Sequence, residues 1–136
     1  MNRFNWKTGA KKTEYNGIVY DSKLEANYAE FLDELVSENE IQAWGRQKKF
    51  PLLNMYGESR LSYKADFIVT DLQGAEHVVE TKGRMSPVDV IKYGYVKYVH
   101  NIDILLVNCN YNSKSKRYNF ERNSEHMPWL TKGKVK

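Results

Sequence analysis

Three residues whose types and spacing could do chemistry lie in one stretch, YKADFIVTDLQGAEHVVETKG (residues 63–83): Asp66, Glu80 and Lys82. They are set among Phe67, Ile68, Val69, Val78 and Val79, which read as core. DLQG (71–74) is a turn signal between two strand-like runs, so the stretch predicts a hairpin. A four-residue loop pairs Thr70 with Ala75 and sets Asp66 opposite Val79. A five-residue loop pairs Thr70 with Glu76 and sets Asp66 opposite Glu80. Directly opposed side chains have Cβ atoms ~4.5–5.5 Å apart, where like charges destabilise a sheet. A divalent cation between the carboxylates would remove that conflict. Lys82, two residues after Glu80, points to the same face. Its ammonium could orient an attacking water while the metal polarised a phosphoryl oxygen and lowered that water's pKa. The chemistry in outline is phosphodiester hydrolysis. The competing account, a surface ion-pair ladder, leaves the flanking apolar runs unexplained.

Such a hairpin needs elements that hold it. Asp21-Ser22 offers an N-cap, and apolar residues at Leu24, Tyr28, Phe31, Leu32, Leu35 and Val36 predict a helix over 23–37. On a 100° wheel these six occupy an arc of about 140°. Glu25 is the one charge inside it, and a buried carboxylate needs a partner. The helix dipole also favours an acid in a first turn, which is the ordinary alternative for Glu25. Residues 41–53 and 61–70 read as strands, and 75–82 as the next. Ser86 caps a second helix, with Pro87 at its first position and Asp89 three residues after the cap, running to about Val99. Residues 102–107 (IDILLV) read as a buried strand, so the helix between it and Glu80's strand forms a βαβ crossover. The order helix, strand, strand, strand, helix, strand predicts an α/β fold, a mixed sheet with helices on its faces.

Glu25 on a first helix, Asp66 on a strand and Glu80-Thr81-Lys82 on the next resemble the PD-(D/E)XK nuclease superfamily. Within it the chain resembles small phage-encoded endonucleases related to Holliday-junction resolvases. The matching text is YNGIVYDSKLEANYAEFL, YKADFIV and VVETKGR. The resemblance implies the restriction-endonuclease-like fold, magnesium dependence (with manganese as a substitute) and DNA cleavage to 5′-phosphate and 3′-hydroxyl ends. It implies Asp66 and Glu80 as metal ligands with the Thr81 carbonyl as a further one. Lys82 becomes the water-orienting base or charge stabiliser, and Glu25 an auxiliary ligand or water holder. Ala65 stands where the motif has proline, which leaves the chemistry at Asp66 untouched. Resolvases of this kind make paired cuts as symmetric dimers, so a homodimer is expected.

Composition bounds these expectations. The chain has 136 residues, 41% hydrophobic and 28% charged, which suits one soluble globular domain. No apolar run approaches the ~20 residues of a membrane span, and MNRFNWKTGAKK is no secretory signal, so a cytoplasmic protein is expected. One cysteine, Cys109, excludes an internal disulfide framework, and the three histidines lack zinc-ligand spacing. Any metal would therefore have oxygen ligands, as magnesium and manganese do. The net charge of +4 is a mild bias, but the basic residues cluster, as in Arg46, Lys48 and Lys49, in keeping with a nucleic-acid partner. Lys11, Lys12, Gln47, Arg84 and Lys92 are the candidate DNA contacts. The domain reading is a basic arm over 1–16, a nuclease core over 17–108 and a polar basic extension over 109–136. The extension holds a possible short strand near 118–121. Its aromatic residues, Tyr111, Tyr118, Phe120 and Trp129, are expected to pack on the domain or on a second subunit.

Overall fold

A computed structural model describes residues 12–53, 59–82 and 84–132 of the chain. Its first feature comes from Asn16-Gly17. Both have positive φ, 53° and 81°, the left-handed conformation that a two-residue hairpin turn requires and these residue types tolerate. Thr13–Tyr15 (β1) accordingly folds back antiparallel on Ile18–Tyr20 (β2). The later part of the expected arm is thus a hairpin, and the Tyr15 hydroxyl anchors it by donating to Asp33 Oδ2 at 2.6 Å. Lys11 and the rest of the arm lie outside the described residues.

Ser22 then starts the first helix. Its backbone is extended and its hydroxyl accepts the Glu25 N–H at 3.1 Å, so α1 runs over Lys23–Ser37 as expected. The buried set is wider than one stripe and includes Ala26, Asn27 and Ala29. The cause is a second covering layer from the C-terminal segment. Asn27 Oδ1 accepts the Tyr118 N–H at 2.8 Å, and the Tyr28 hydroxyl donates to the His126 carbonyl at 3.0 Å.

The two long strands expected over 41–53 and 61–70 each break in the middle. Ala43–Arg46 (β3) and Lys49–Leu53 (β4) are separated at Gln47, whose φ is 60°. Ser59–Lys64 (β5) and Phe67–Thr70 (β6) are separated at Ala65 and Asp66. The breaks face each other, bridged by the Ala65 N–H donating to the Lys48 carbonyl at 2.9 Å. Pairing therefore divides: β4 with β5 in a ribbon, and β3 with β6 in the main sheet. Glu76–Thr81 (β7) pairs antiparallel with β6, and Ile104–Val107 (β8) pairs parallel with β7, giving the order β3-β6-β7-β8. The crossover is α2, Pro87–His100. Its N-cap Ser86 and Asp89 form the expected capping box, and Asn101 closes it in the left-handed conformation. β8 begins at Ile104 rather than 102; Ile102 and Ile104 both pack against the core that holds Val96 of α2.

Strand alternation sends side chains to two cores. Phe67, Val69, Val79 and Val107 meet Tyr28, Leu32 and Leu35 of α1. Ile68 and Val78 meet Val96 of α2 with Phe50, Tyr63 and Ala65 of the ribbon. The fold is thus mixed α/β, a four-stranded sheet with a helix on each face. Beyond it, Tyr111–Asn112 (β9) and Arg117–Tyr118 (β10) form a small hairpin, and Trp129–Lys132 (α3) a single turn. Of the strand expected near 118–121, only Tyr118 lies in a strand, as the second residue of β10. Met127 and Trp129 are buried in the α1 core with Phe120 packed against them, while Tyr111 stays exposed. Arg117 pairs with Glu30 of α1 at 2.8 Å and Arg122 with Glu38 and Glu40 just after it, so this segment's arginines offset acids on and beyond the helix. Among the described residues no helix is long and apolar enough to cross a membrane.

Candidate active site

The loop between β6 and β7 decides the register. Asp71 organises it: its Oδ1 accepts the N–H of Gln73 and of Ala75, both at 2.9 Å, and its Oδ2 meets His77 Nε2 at 2.7 Å. Against its partial burial, these partners hold the Asp71 carboxyl below its usual range. Gly74 supplies the positive φ of 89° that closes the turn. The result is the five-residue loop, with Thr70 paired to Glu76 and Phe67 to Val79. One step further along that register, Asp66 faces Glu80, at the carboxyl end of β7.

The ladder stops one residue short, and the Asp66 N–H donates instead to Glu80 Oε2 at 2.8 Å. The same oxygen accepts the Tyr63 hydroxyl at 2.5 Å, and Oε1 accepts the Tyr93 hydroxyl at 3.1 Å. Burial and the adjacent carboxylate push both tyrosine hydroxyls far up, so each remains a donor. Asp66 Oδ2 in turn accepts the Thr81 N–H at 3.2 Å and its hydroxyl at 3.3 Å. Burial, then Glu80, then Glu25 push the Asp66 carboxyl up to about 8. Glu25, half-buried on the first turn of α1, is therefore close enough to act on Asp66 electrostatically, as its place inside the apolar arc suggests. Lys82 also acts on Asp66, but its ammonium is paired with Asp89 Oδ1 at 3.3 Å, and its side chain is 30% exposed.

The remaining candidates are more scattered. Lys12 is exposed and pairs with Asp21 at 3.6 Å. Gln47 is exposed at the strand break, beside Lys48, whose carbonyl bridges to Ala65. Arg84 is exposed just beyond β7, and Lys92 is half-buried on α2. Within the basic cluster over 46–49, Arg46 stacks on the Tyr20 ring at 4.6 Å and Lys48 pairs with Glu76 at 3.7 Å. Sequence reasoning did not place Tyr63, Tyr93 or Asp89 at the site. Asp89 and Tyr93 share the inward face of a capped helix, and that spacing was the available signal.

Among the described residues no three His, Cys, Asp or Glu side chains stand grouped as metal ligands. The donor chemistry nevertheless suits magnesium, which commonly takes one or two carboxylates and keeps several waters. An Asp66 carboxyl raised by burial and then by two neighbouring acids is the arrangement that a bound divalent cation would relieve.

Fold and site together define a mixed α/β domain carrying a carboxylate pair, Glu80 buried and Asp66 half-buried, with a lysine beside it, at the carboxyl end of a strand. The chain belongs to the DUF1064 family of proteins of unknown function, whose model matches residues 5–122. No curated protein and no solved structure matches it.

Proposed function

We propose that the protein is a magnesium-dependent endodeoxyribonuclease of the PD-(D/E)XK kind. Its substrate would be branched DNA such as the four-way junction, in phage recombination or replication. It would work as a homodimer in the host cytoplasm. The observation that carries the reading is half-buried Asp66 set against buried Glu80, the Asp66 N–H on Glu80 Oε2, with Glu25 acting on Asp66 and Lys82 just past the strand. A protein that only bound DNA would have no use for a half-buried carboxylate opposed to a buried one, where like charges cost stability.

In this reading Asp66, Glu80 and the Thr81 carbonyl hold the ion. When bound, it supplies Lewis acidity at the scissile phosphate and a more acidic water. Tyr63 and Tyr93 keep the Glu80 carboxylate turned to a fixed position. Lys82, held beside Asp89, would orient the attacking water, and Glu25 would hold a water on the side of α1. Lys11, Lys12, Gln47, Arg84 and Lys92 contact the phosphate backbone and set the register of the DNA.

One observation favours a second reading, a catalytically silent DNA-binding module: the Lys82 ammonium is already tied to Asp89. The deciding experiment offers labelled four-way junction, linear duplex and single strand, each with magnesium or chelator, to parent and Lys82→Ala protein. Magnesium-dependent paired cuts in the junction, lost in the variant, are expected. Equal cutting of linear duplex would keep the nuclease, as a duplex endonuclease or nickase, and discard the junction. Binding without cutting in any metal would overturn the enzyme.

A further inference from the structure

Two contacts between α2 and β7 share one geometry. Asp89 and Tyr93 lie four residues apart on the helix, and they reach Lys82 and Glu80, two residues apart on the strand. Four helical residues rise about 6 Å, and two strand residues advance about 6.6 Å. The two spacings match, and the order is reversed: the later helix residue meets the earlier strand residue. A crossover helix running back along the strand it follows gives that order. Val96 packs with Ile68 and Val78 beneath the helix, and the Tyr93 ring joins the same cluster, so its hydroxyl bond comes on top of apolar seating. Asp89 also has a separate task, accepting the Ser86 N–H at 3.0 Å in the capping box. Its other carboxylate oxygen, Oδ1, is the one on Lys82.

We propose that Asp89 and Tyr93 are positioning residues through which α2 sets the site, Asp89 fixing the Lys82 ammonium and Tyr93 fixing the Glu80 carboxylate. The consequence for catalysis rests on the nuclease reading, but the two contacts do not. Helix and strand then act as one rigid clamp, and the side chains that would touch metal and water keep their separation. Tyr63 completes the hold on Glu80 from the ribbon, its ring edge-on to Tyr93 with centroids 5.8 Å apart.

The test uses the full chain and three variants, Asp89→Asn, Tyr93→Phe and Ser86→Ala. The last removes the capping hydroxyl and leaves both contacts in place. Without metal, nuclear magnetic resonance should show a Lys82 ammonium signal that is lost in Asp89→Asn, and a Glu80 carboxyl signal that moves in Tyr93→Phe. Ser86→Ala should keep both. With manganese followed by electron paramagnetic resonance, Tyr93→Phe should bind the ion ~10-fold more weakly, at the lower end of what partners of metal ligands contribute. In cleavage, Asp89→Asn should lose ~10–100-fold in kcat at unchanged KM, and Ser86→Ala should match the parent. If Asp89→Asn and Tyr93→Phe leave both resonances as they are in Ser86→Ala, the proposal is overturned. If the resonances respond while the parent binds no manganese and cuts nothing, the positioning stands and the nuclease reading fails.

Discussion

Burial and two neighbouring acids push the Asp66 carboxyl up to about 8, against 3.8 when unperturbed. Between those values the folded chain keeps a proton that the unfolded chain has released, so stability should fall as pH rises. Without metal, the melting temperature should be lower at pH 8 than at pH 5 by roughly 10–20 °C, since a proton held across those three pH units is worth about 3–4 kcal/mol. Asp66→Asn should flatten that dependence, and magnesium at pH 8 should raise the melting temperature of the parent only. A pH series of thermal melts checks all three, and a flat parent profile would refute the assignment. Tyr63→Phe removes the 2.5 Å bond to a buried carboxylate and should cost about 1–3 kcal/mol in urea unfolding. At this scale the sequence was partly legible. Charges within apolar strands marked Asp66 and Glu80, and the wheel marked Glu25. The tyrosines were not legible, because the contacts that make them matter join the ribbon and α2 to β7.

The helices were the most legible elements, since Ser22 and Ser86 each carry a local capping signal that holds in the folded chain. The first hairpin was legible in principle, as Asn-Gly is a strong turn signal. The broken strands were not: Gln47 carries no mark of the left-handed conformation it adopts. Its φ of 60° is a cost that the paired breaks impose. Gln47→Gly should therefore hold stability or raise it by up to ~1 kcal/mol, while Gln47→Val should lower it by ~1–2 kcal/mol. Thermal or urea denaturation of the two variants checks this, and a destabilised glycine variant would show that the side chain, not the backbone, matters there.

Across the whole molecule, the C-terminal segment completes a core that the sheet and α1 leave open. Trp129 is 4% exposed and Met127 2%, both in the cluster built on Tyr28 and Leu32. Trp129→Ala should cost about 3–5 kcal/mol in equilibrium unfolding, as for other large core truncations. A loss below ~1 kcal/mol would mean that the segment is a detachable cover. The pairing of this segment with α1 was expected only in outline. Its aromatic content pointed to packing, but the surface it covers is set by contacts far apart in sequence, such as Tyr118 with Asn27 and Arg117 with Glu30.

The five-residue loop from Asp71 to Ala75 has a consequence for how such a gene can change. Three nucleotides lost there, in frame, would leave every candidate catalytic residue encoded. If the shortened chain kept a five-residue loop, that loop would take in Glu76, pair Thr70 with His77 and bring Thr81, not Glu80, opposite Asp66. It would also turn one strand's apolar residues to the wrong face. The loop lies about 17 Å from the carboxylates, at five strand residues' distance, and yet it is their ruler. Lineages that keep the site should therefore tolerate substitutions in this loop far more readily than insertions or deletions.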